Sequence, residues 1–425
     1  MTLDRRTFLG WLSAGVGAGV LAACAGRVRE TRPIARVVVV GGGYGGATAA
    51  KYIRMWSPDI AVTLVERNRE FVSCPMSNLV LGGSKSMADI TLGYDGLPRY
   101  GVSVVHDEAV AIDPVKRELK LAGGNPLGYD RLVLAPGVAM QYDQIPGLKD
   151  AAAQQRVPHA WQAGPQTALL RRQLESMRDG GVYALVIPQA PYRCLPGPYE
   201  RACQVAHYFR RAKPKSKVLI LDGNEDVVSK KSLFTAAWNG RYKGMVEYRP
   251  NSELQDVDVA GSTLKLLGGD ERADVLNVVP PQKADRIAEQ AGVVNANNRW
   301  CDIDWLSYES KAQRDIHVLG DATLSAPVMP KSGHMANQHA KVCAAAVIAL
   351  LHGQTVNEQP VVANTCYSFV DDRNAGHVAT VHRYDPDRKT MVVVPGSGGL
   401  SPAVSVVEGD YAQAWARNIW SDMLA

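Results

Sequence analysis

Short apolar runs rich in β-branched residues alternate along the chain with stretches of helical period. Arg36-Val-Val-Val-Val40 is apolar at successive positions, as suits a strand buried on both faces of a parallel sheet. Ala47 to Trp56 reads as a helix and Ile60-Ala-Val-Thr-Leu-Val65 as the next strand. Small strands are expected at Val102–Val105, Glu118–Leu121 and Arg131–Ala135, and Pro158 to Met177 is partly helical. Gly181-Val-Tyr-Ala-Leu-Val-Ile187 and Val218-Leu-Ile-Leu-Asp222 open a second unit of the same kind. A strand then covers Asp315 to Ala322, and a helix runs through Ala336–Leu351. Near the end, Tyr411, Trp415, Ile419 and Met423 repeat every four residues, which predicts an amphipathic helix packed on the protein's own core. The pattern predicts an α/β fold with two Rossmann-like dinucleotide-binding-type domains and a C-terminal α+β interface domain. The expected boundaries are 28–150 with 275–355 for the first domain, 151–274 for the second and 356–425 for the third.

The loops between these elements carry the chemistry. Gly41, Gly43 and Gly46 hold the GxGxxG positions straight after the first strand, and Glu66 ends the second strand about twenty residues further on. The glycines let the backbone turn and approach a pyrophosphate, the following helix offers free N–H groups to that anion, and Glu66 can accept from ribose hydroxyls. The turn Ala135-Pro136-Gly137 is similar to the one that returns the chain past the flavin in flavoproteins with two dinucleotide-binding domains. Asp315-Ile-His-Val-Leu-Gly-Asp-Ala322 is the second flavin signature and brings Asp321 to the ribityl chain. Met329-Pro-Lys331-Ser-Gly333 then leads into a helix whose N-terminus can stabilise negative charge on a reduced isoalloxazine. Lys331 and Gly333 therefore join the expected FAD contacts. The second unit lacks such a glycine loop. After Ile187 the chain reads Pro188-Gln-Ala-Pro-Tyr-Arg-Cys-Leu-Pro-Gly-Pro198, and prolines remove the backbone donors a phosphate needs. No NAD(P)H site is expected.

Composition narrows the setting. The 425 residues hold 47 Lys and Arg against 42 Asp and Glu, and this mild balance gives no nucleic-acid footprint. Asp4-Arg5-Arg6-Thr7-Phe8-Leu9 matches the twin-arginine export pattern, and the small-residue apolar stretch Gly10 to Ala23 is too short and glycine-rich for a good membrane span. The expected compartment is the periplasm, with the cofactor loaded before export. Leu21-Ala-Ala-Cys24 resembles a lipobox, which would anchor the chain through Cys24, while Ala23-Cys24-Ala25 also satisfies ordinary cleavage. Residues 1–24 are set aside as this signal. The seven cysteines include no C-x-x-C pair and no C-x-x-C-H, and the chain has no H-E-x-x-H, so neither attached haem nor a zinc site is expected.

The glycine loop together with Phe71-Val-Ser-Cys74-Pro-Met-Ser-Asn78, Tyr192-Arg-Cys194-Leu-Pro-Gly-Pro-Tyr-Glu-Arg201 and Asn364-Thr-Cys366-Tyr-Ser368 resembles the flavoprotein subunit of flavocytochrome c sulfide dehydrogenase, nearly end to end. Pro280-Pro-Gln282 and Val328-Met-Pro-Lys-Ser-Gly333 fit as well. The resemblance implies FAD bonded through its 8α-methyl carbon to Cys74, a redox disulfide between Cys194 and Cys366 beside the flavin, and electron transfer from sulfide to a separate c-type cytochrome subunit. Spacing alone does not pair the cysteines, and Cys203, near Cys194 in sequence, is a rival partner. Cys343 reads as helix core, and Cys301 has no assigned role. Glu200, six residues after Cys194, is placed to take a proton from hydrosulfide, or else is an ordinary first-turn glutamate stabilised by its helix dipole. His334 and His339 are assigned nothing. Two rival functions stand: a sulfide:quinone reductase, and an exported flavin electron carrier or haem-partner module in which Cys194 and Cys366 are dispensable.

Overall fold

The structure, a computed structural model, describes residues 33–425. The twin-arginine segment, the apolar stretch and Cys24 lie outside the described residues. In chain order the main elements are β1 (Ala35–Val40), α1 (Gly46–Trp56), β2 (Ile60–Val65), α2 (Ser77–Gly82), β3 (Val102–Val105) and β4 (Arg131–Leu134). Next come α3 (Pro165–Ser176), β5 (Val182–Ile187), α4 (Gly197–Ala212), β6 (Lys217–Asp222), α5 (Lys231–Asn239), β7 (Val246–Arg249) and β8 (Val275–Val278). The chain ends with β9 (Ile316–Val318), α6 (Gly333–Leu351), β10 (Val361–Phe369), β11 (Ala375–Asp385), β12 (Thr390–Val393) and α7 (Val406–Leu424). Shorter strands and turns lie between these.

Two parallel sheets organise the molecule. The first has the order β9-β4-β1-β2-β3 and the second β7-β6-β5-β8. Val37 to Val40 and the strands on either side are buried, which explains why their sequences are apolar at successive positions instead of alternating. The strand order of the first sheet reverses at β1, so the loops after β1, β2, β4 and β9 open onto one edge, at the switch point where open α/β sheets bind ligands. Helix α1 lies against α6 over this sheet. The third sheet is antiparallel, β10-β11-β12, and its long hairpin carries Cys366 opposite Val378.

Two expectations need correction. The strand Val275–Val278 pairs with β5, so it belongs to the second unit, and the chain returns to the first only after it. The return is a short antiparallel ribbon in which Gln282–Ala284 pairs with Val138–Met140, placing the outward and homeward crossings side by side. An apolar run carries no mark of which sheet it joins; pairing decides. In α7 the buried residues are Gly409, Ala412, Ala416, Ile419, Trp420, Met423 and Leu424, and Tyr411 is exposed. A four-residue step overshoots a helical turn by about 40°, so over three steps a stripe with that spacing rotates off the core. Ile419 and Met423 stay on the face, Trp415 lies at its border, and Tyr411 leaves it.

Candidate functional site

A cavity of about 960 Å³ opens along the carboxyl edge of the first sheet and is closed by residues of the second unit and of β10. Its size is of the order that organic cofactors occupy. The glycine loop forms one end. A side chain at Gly41 would strike the Ala135 carbonyl, and Gly41 also has φ +98, the left-handed region that favours glycine. One at Gly46 would strike the Gly41 carbonyl at 1.8 Å, whereas Gly43 has open space before it. Gly41 and Gly46 thus permit the tight turn and the helix packing, and Gly43 presents bare backbone to the cavity. Glu66 lines the cavity too. One of its oxygens accepts from the Gly42 N–H (2.7 Å) and the other from the Asn68 backbone (2.8 Å) and side chain (2.7 Å), so the carboxylate also fixes the loop it follows.

Asp321 follows β9 and reaches the same cavity, where its Oδ1 is buried without a partner. Burial raises its pKa, while Arg193 and Lys331 pull it down. A buried acceptor left open beside a cavity is what a cofactor hydroxyl would satisfy. Gly333 lines the wall at the start of α6, whose first turn is capped by Ser332 accepting from the Met335 N–H. Gly43, Glu66, Asp321 and the α6 N-terminus together fit an FAD: bare backbone for the pyrophosphate, a carboxylate for ribose, an open acceptor for the ribityl chain.

Lys331 does not point into the cavity. Its ammonium donates to the carbonyls of Asp321 (3.0 Å) and Thr323 and lies 3.8 Å from the centre of the Trp300 ring. Burial lowers its pKa to about 8. A buried ammonium needs acceptors, and the carbonyls of the turn after β9 supply them. The Lys331 backbone does serve the site: its carbonyl accepts from the Cys194 N–H (2.9 Å).

Cys74 lies on the cavity wall after β2, where its sulfur accepts from the Ala163 N–H (3.4 Å). Arg193, from the proline-rich loop, sits beside it. Burial works against the charge of Arg193, yet Cys74, Asp321 and Cys194 together hold its pKa above the ordinary value. Arg193 donates to the Trp161 carbonyl, and its Nε is buried without a partner. Neither Arg193 nor the fully buried Arg201 makes an ion pair with a carboxylate among the described residues. Arg201 donates instead to Asn78 (3.1 Å), Asn277 (2.9 Å) and the carbonyls of His159 and Ala160. Two guanidiniums thus stand on the cavity wall held by neutral acceptors.

Cys194 and Cys366 come together at this wall. Both are free thiols in the structure and face the same cavity, close enough for each to influence the other's titration, although one belongs to the loop after β5 and the other to β10. Cys194 sits in the left-handed region at φ 60, unusual for a residue with a Cβ and a mark of a backbone held by its surroundings. Cys203 is not its neighbour: it is buried in the α4 core, where burial pushes its thiol up. Cys301 and Cys343 are buried in the core as well. Glu200 occupies the first turn of α4 and lines the same cavity wall as the two cysteines. Its carboxylate accepts from the Phe369 N–H (2.8 Å) and from Asn78 (2.8 Å). One residue here escaped sequence reasoning: Lys230, at the start of α5, whose ammonium donates to the Cys366 carbonyl and to Ser368 Oγ (2.8 Å) and lies 3.8 Å from Cys366 Sγ. Nothing in Ser229-Lys230-Lys231 marks the first lysine as buried.

Burial raises the Glu200 pKa from an ordinary 4.5 to about 7, against the lowering effect of its hydrogen bonds and of Lys230. The unfolded chain releases this proton at lower pH than the folded one. Between those values the native state binds the extra proton, so stability owed to Glu200 falls as pH rises through the window. Chemical denaturation from pH 5 to 8 should show wild type losing about 1–2 kcal/mol relative to Glu200→Gln, a figure discounted for partial exposure. Parallel stability curves would mean that Glu200 is ionised throughout.

Three family models match the chain. Residues 35–170 match the pyridine nucleotide-disulphide oxidoreductase model, 167–280 the central part of the sulfide dehydrogenase [flavocytochrome c] flavoprotein chain, and 358–424 the flavin-binding part of flavocytochrome c sulphide dehydrogenase. The sulfide dehydrogenase [flavocytochrome c] flavoprotein chain of Chlorobaculum thiosulfatiphilum is 64% identical over 45 residues, 11% of this chain and 94% of that sequence. The mitochondrial sulfide:quinone oxidoreductase of Mus musculus is 21% identical over 306 residues, 68% of this chain and 65% of the mouse protein, so the match spans about two thirds of that relative. The crystal structure of the sulfide:quinone oxidoreductase from Aquifex aeolicus superposes with a TM-score of 0.71 at 19% identity, covering 91% of both chains, a likeness of fold. Fold and site together define a flavin-binding oxidoreductase of the disulfide-reductase type. Within that class, the chain belongs to the family of sulfide dehydrogenase flavoprotein chains of flavocytochrome c.

Proposed function

We propose that the chain is a sulfide dehydrogenase that opens a Cys194–Cys366 disulfide with hydrosulfide and passes the electrons through FAD to a c-type cytochrome subunit. The observation that carries this reading is the meeting of Cys194 and Cys366 at the cavity wall with Glu200 and Lys230 around them. Attack of hydrosulfide on one sulfur forms a persulfide and releases the other as thiolate. The guanidiniums of Arg193 and Arg201, without carboxylate partners, favour an anion on this part of the wall. Glu200, with its pKa near 7, is matched to taking up a proton at neutral pH. Bound FAD would supply a two-electron acceptor able to release electrons one at a time. Gly43, Glu66 and Asp321 would hold it, and Cys74 would tether it covalently. The family's name supports the cytochrome partner, and Arg5-Arg6 supports export to the periplasm.

Two features argue against reduction by NAD(P)H. The loop after β5 has Pro188 and Pro191 where phosphate-binding glycines belong. At the end of β6, where a ribose acceptor would stand, Asp222 is fully buried and already engaged: it accepts from Tyr199 OH (2.7 Å), Tyr248 OH (3.1 Å) and both the backbone and side chain of Asn224. A sulfide:quinone reductase remains the second reading, favoured by the mouse and Aquifex likenesses. Among the described residues no helix is long and apolar enough to cross a membrane. Mixing purified protein anaerobically with sulfide should bleach the flavin band within the mixing experiment, while NADH should leave it unchanged. Bleaching by NADH at a comparable rate would overturn the assignment. Reduced protein should then reduce cytochrome c faster than a soluble quinone.

A further inference from the structure

The geometry points to Lys230 as the positioning residue that decides which sulfur is attacked: it holds Cys366 as the leaving thiolate, so the incoming sulfur is placed on Cys194. This inference rests on the disulfide reading above and deepens it. Lys230 is buried, with its backbone in the left-handed region at φ 53. Its ammonium is anchored by two neutral oxygens, the Cys366 carbonyl and Ser368 Oγ, and makes no ion pair with a carboxylate among the described residues. A buried cation with only neutral acceptors favours any anion within reach. Two groups that can carry negative charge feel it: the Glu200 carboxyl, with which it makes no hydrogen bond or ion pair among the described residues, and Cys366 Sγ, which it meets directly at 3.8 Å.

Cys194 has different company. No lysine or arginine hydrogen-bonds to the Cys194 sulfur among the described residues: Arg193 donates to the Trp161 carbonyl and favours a Cys194 thiolate only through space, against the Glu200 carboxyl, which lies in reach of both sulfurs. In the reduced pair the closeness of the two sulfurs lowers the Cys366 pKa and raises that of Cys194, and Lys230 adds to the lowering at Cys366 against burial. In thiol–disulfide exchange the sulfur that is the better thiolate leaves faster. The step balances as follows. The sulfur of HS⁻ bonds to Cys194 Sγ, the S–S bond breaks, and its electron pair goes to Cys366 Sγ. The single negative charge of the nucleophile thus ends beside the Lys230 ammonium. The proton stays on the outer sulfur of the Cys194 persulfide, from which Glu200 can remove it.

The test uses the oxidised, flavin-loaded full chain. It is exposed anaerobically to one equivalent of sodium sulfide, quenched with an alkylating agent, and mapped by mass spectrometry. The expected result is an alkylated persulfide on the Cys194 peptide and a plain alkylated thiol on the Cys366 peptide, in roughly tenfold excess over the reverse pattern. Lys230→Met should bring the two patterns toward equality, and Lys230→Arg should restore the bias. A persulfide mainly on Cys366 in the wild type overturns the proposal and leaves the disulfide chemistry standing, as does an unchanged ratio in Lys230→Met. If both cysteines are alkylated before sulfide is added, there is no disulfide to open and both readings fall.

Discussion

Replacing either Cys194 or Cys366 with serine should leave flavin bound and cut the rate of sulfide-driven flavin reduction by roughly a thousandfold or more, the scale of losing a nucleophilic centre. The expectation follows from position. The two sulfurs come from distant segments, the loop after β5 and strand β10, and meet at the cavity wall with the Glu200 carboxyl beside them. Serine keeps the size of the side chain but cannot form or exchange a disulfide, so flavin affinity should barely change. Stopped-flow absorbance at the flavin band gives the rate, and the visible spectrum of the desalted protein gives the occupancy. Serine variants that are reduced by sulfide at the original rate would move the attack from the cysteines to the flavin itself.

The second large effect concerns Cys74. Its sulfur faces the cavity on the segment after β2, with Arg193 against it and the Ala163 N–H directed at it. Protein precipitated with acid should stay yellow, because a thioether survives denaturation. Cys74→Ser should yield a colourless pellet and a yellow supernatant, a complete transfer of colour from one fraction to the other. The folded variant should still take up FAD, since Gly43, Glu66 and Asp321 are untouched. If wild-type protein releases all of its flavin into the acid supernatant, Cys74 is a wall residue only.

The parts of this molecule that were legible in its sequence are those whose physics is local. A strand buried on both faces must be apolar at every position, and Val37 to Val40 announce one. A loop that turns tightly against a neighbouring backbone must lack Cβ atoms, and Gly41 and Gly46 show why. The illegible parts depend on where distant segments meet. Lys331 was expected at the cavity because it precedes a helix N-terminus, yet the carbonyls after β9 and the Trp300 ring offered its charge a better place. Lys230 sits in a polar run like any solvated one, and only the approach of β10 buries it beside Cys366. The strand Val275–Val278 could have joined either sheet on its composition, and Tyr411 was misplaced by counting in fours where the helix turns in 3.6. In the cysteine motifs the residues could be named from resemblance, but the charges that distinguish one sulfur from the other could not.

The saturation of Asp222 bears on how readily this scaffold could change its electron source. In a nicotinamide-using relative a carboxylate at the end of that strand is free to meet the ribose, and cofactor preference can drift by single substitutions nearby. Here the carboxylate is a structural node. Tyr199 projects from α4, the helix that also carries Glu200, and Tyr248 comes from β7. Freeing Asp222 means removing both hydroxyls, which leaves one buried carboxylate oxygen without a donor at a cost of about 1–3 kcal/mol and takes away the tie between α4, which carries Glu200, and β6. Opening the proline loop instead would disturb the backbone that holds Cys194. Every route toward a dinucleotide in the second unit thus passes through the sulfur site, and a lineage cannot gain the one without first damaging the other.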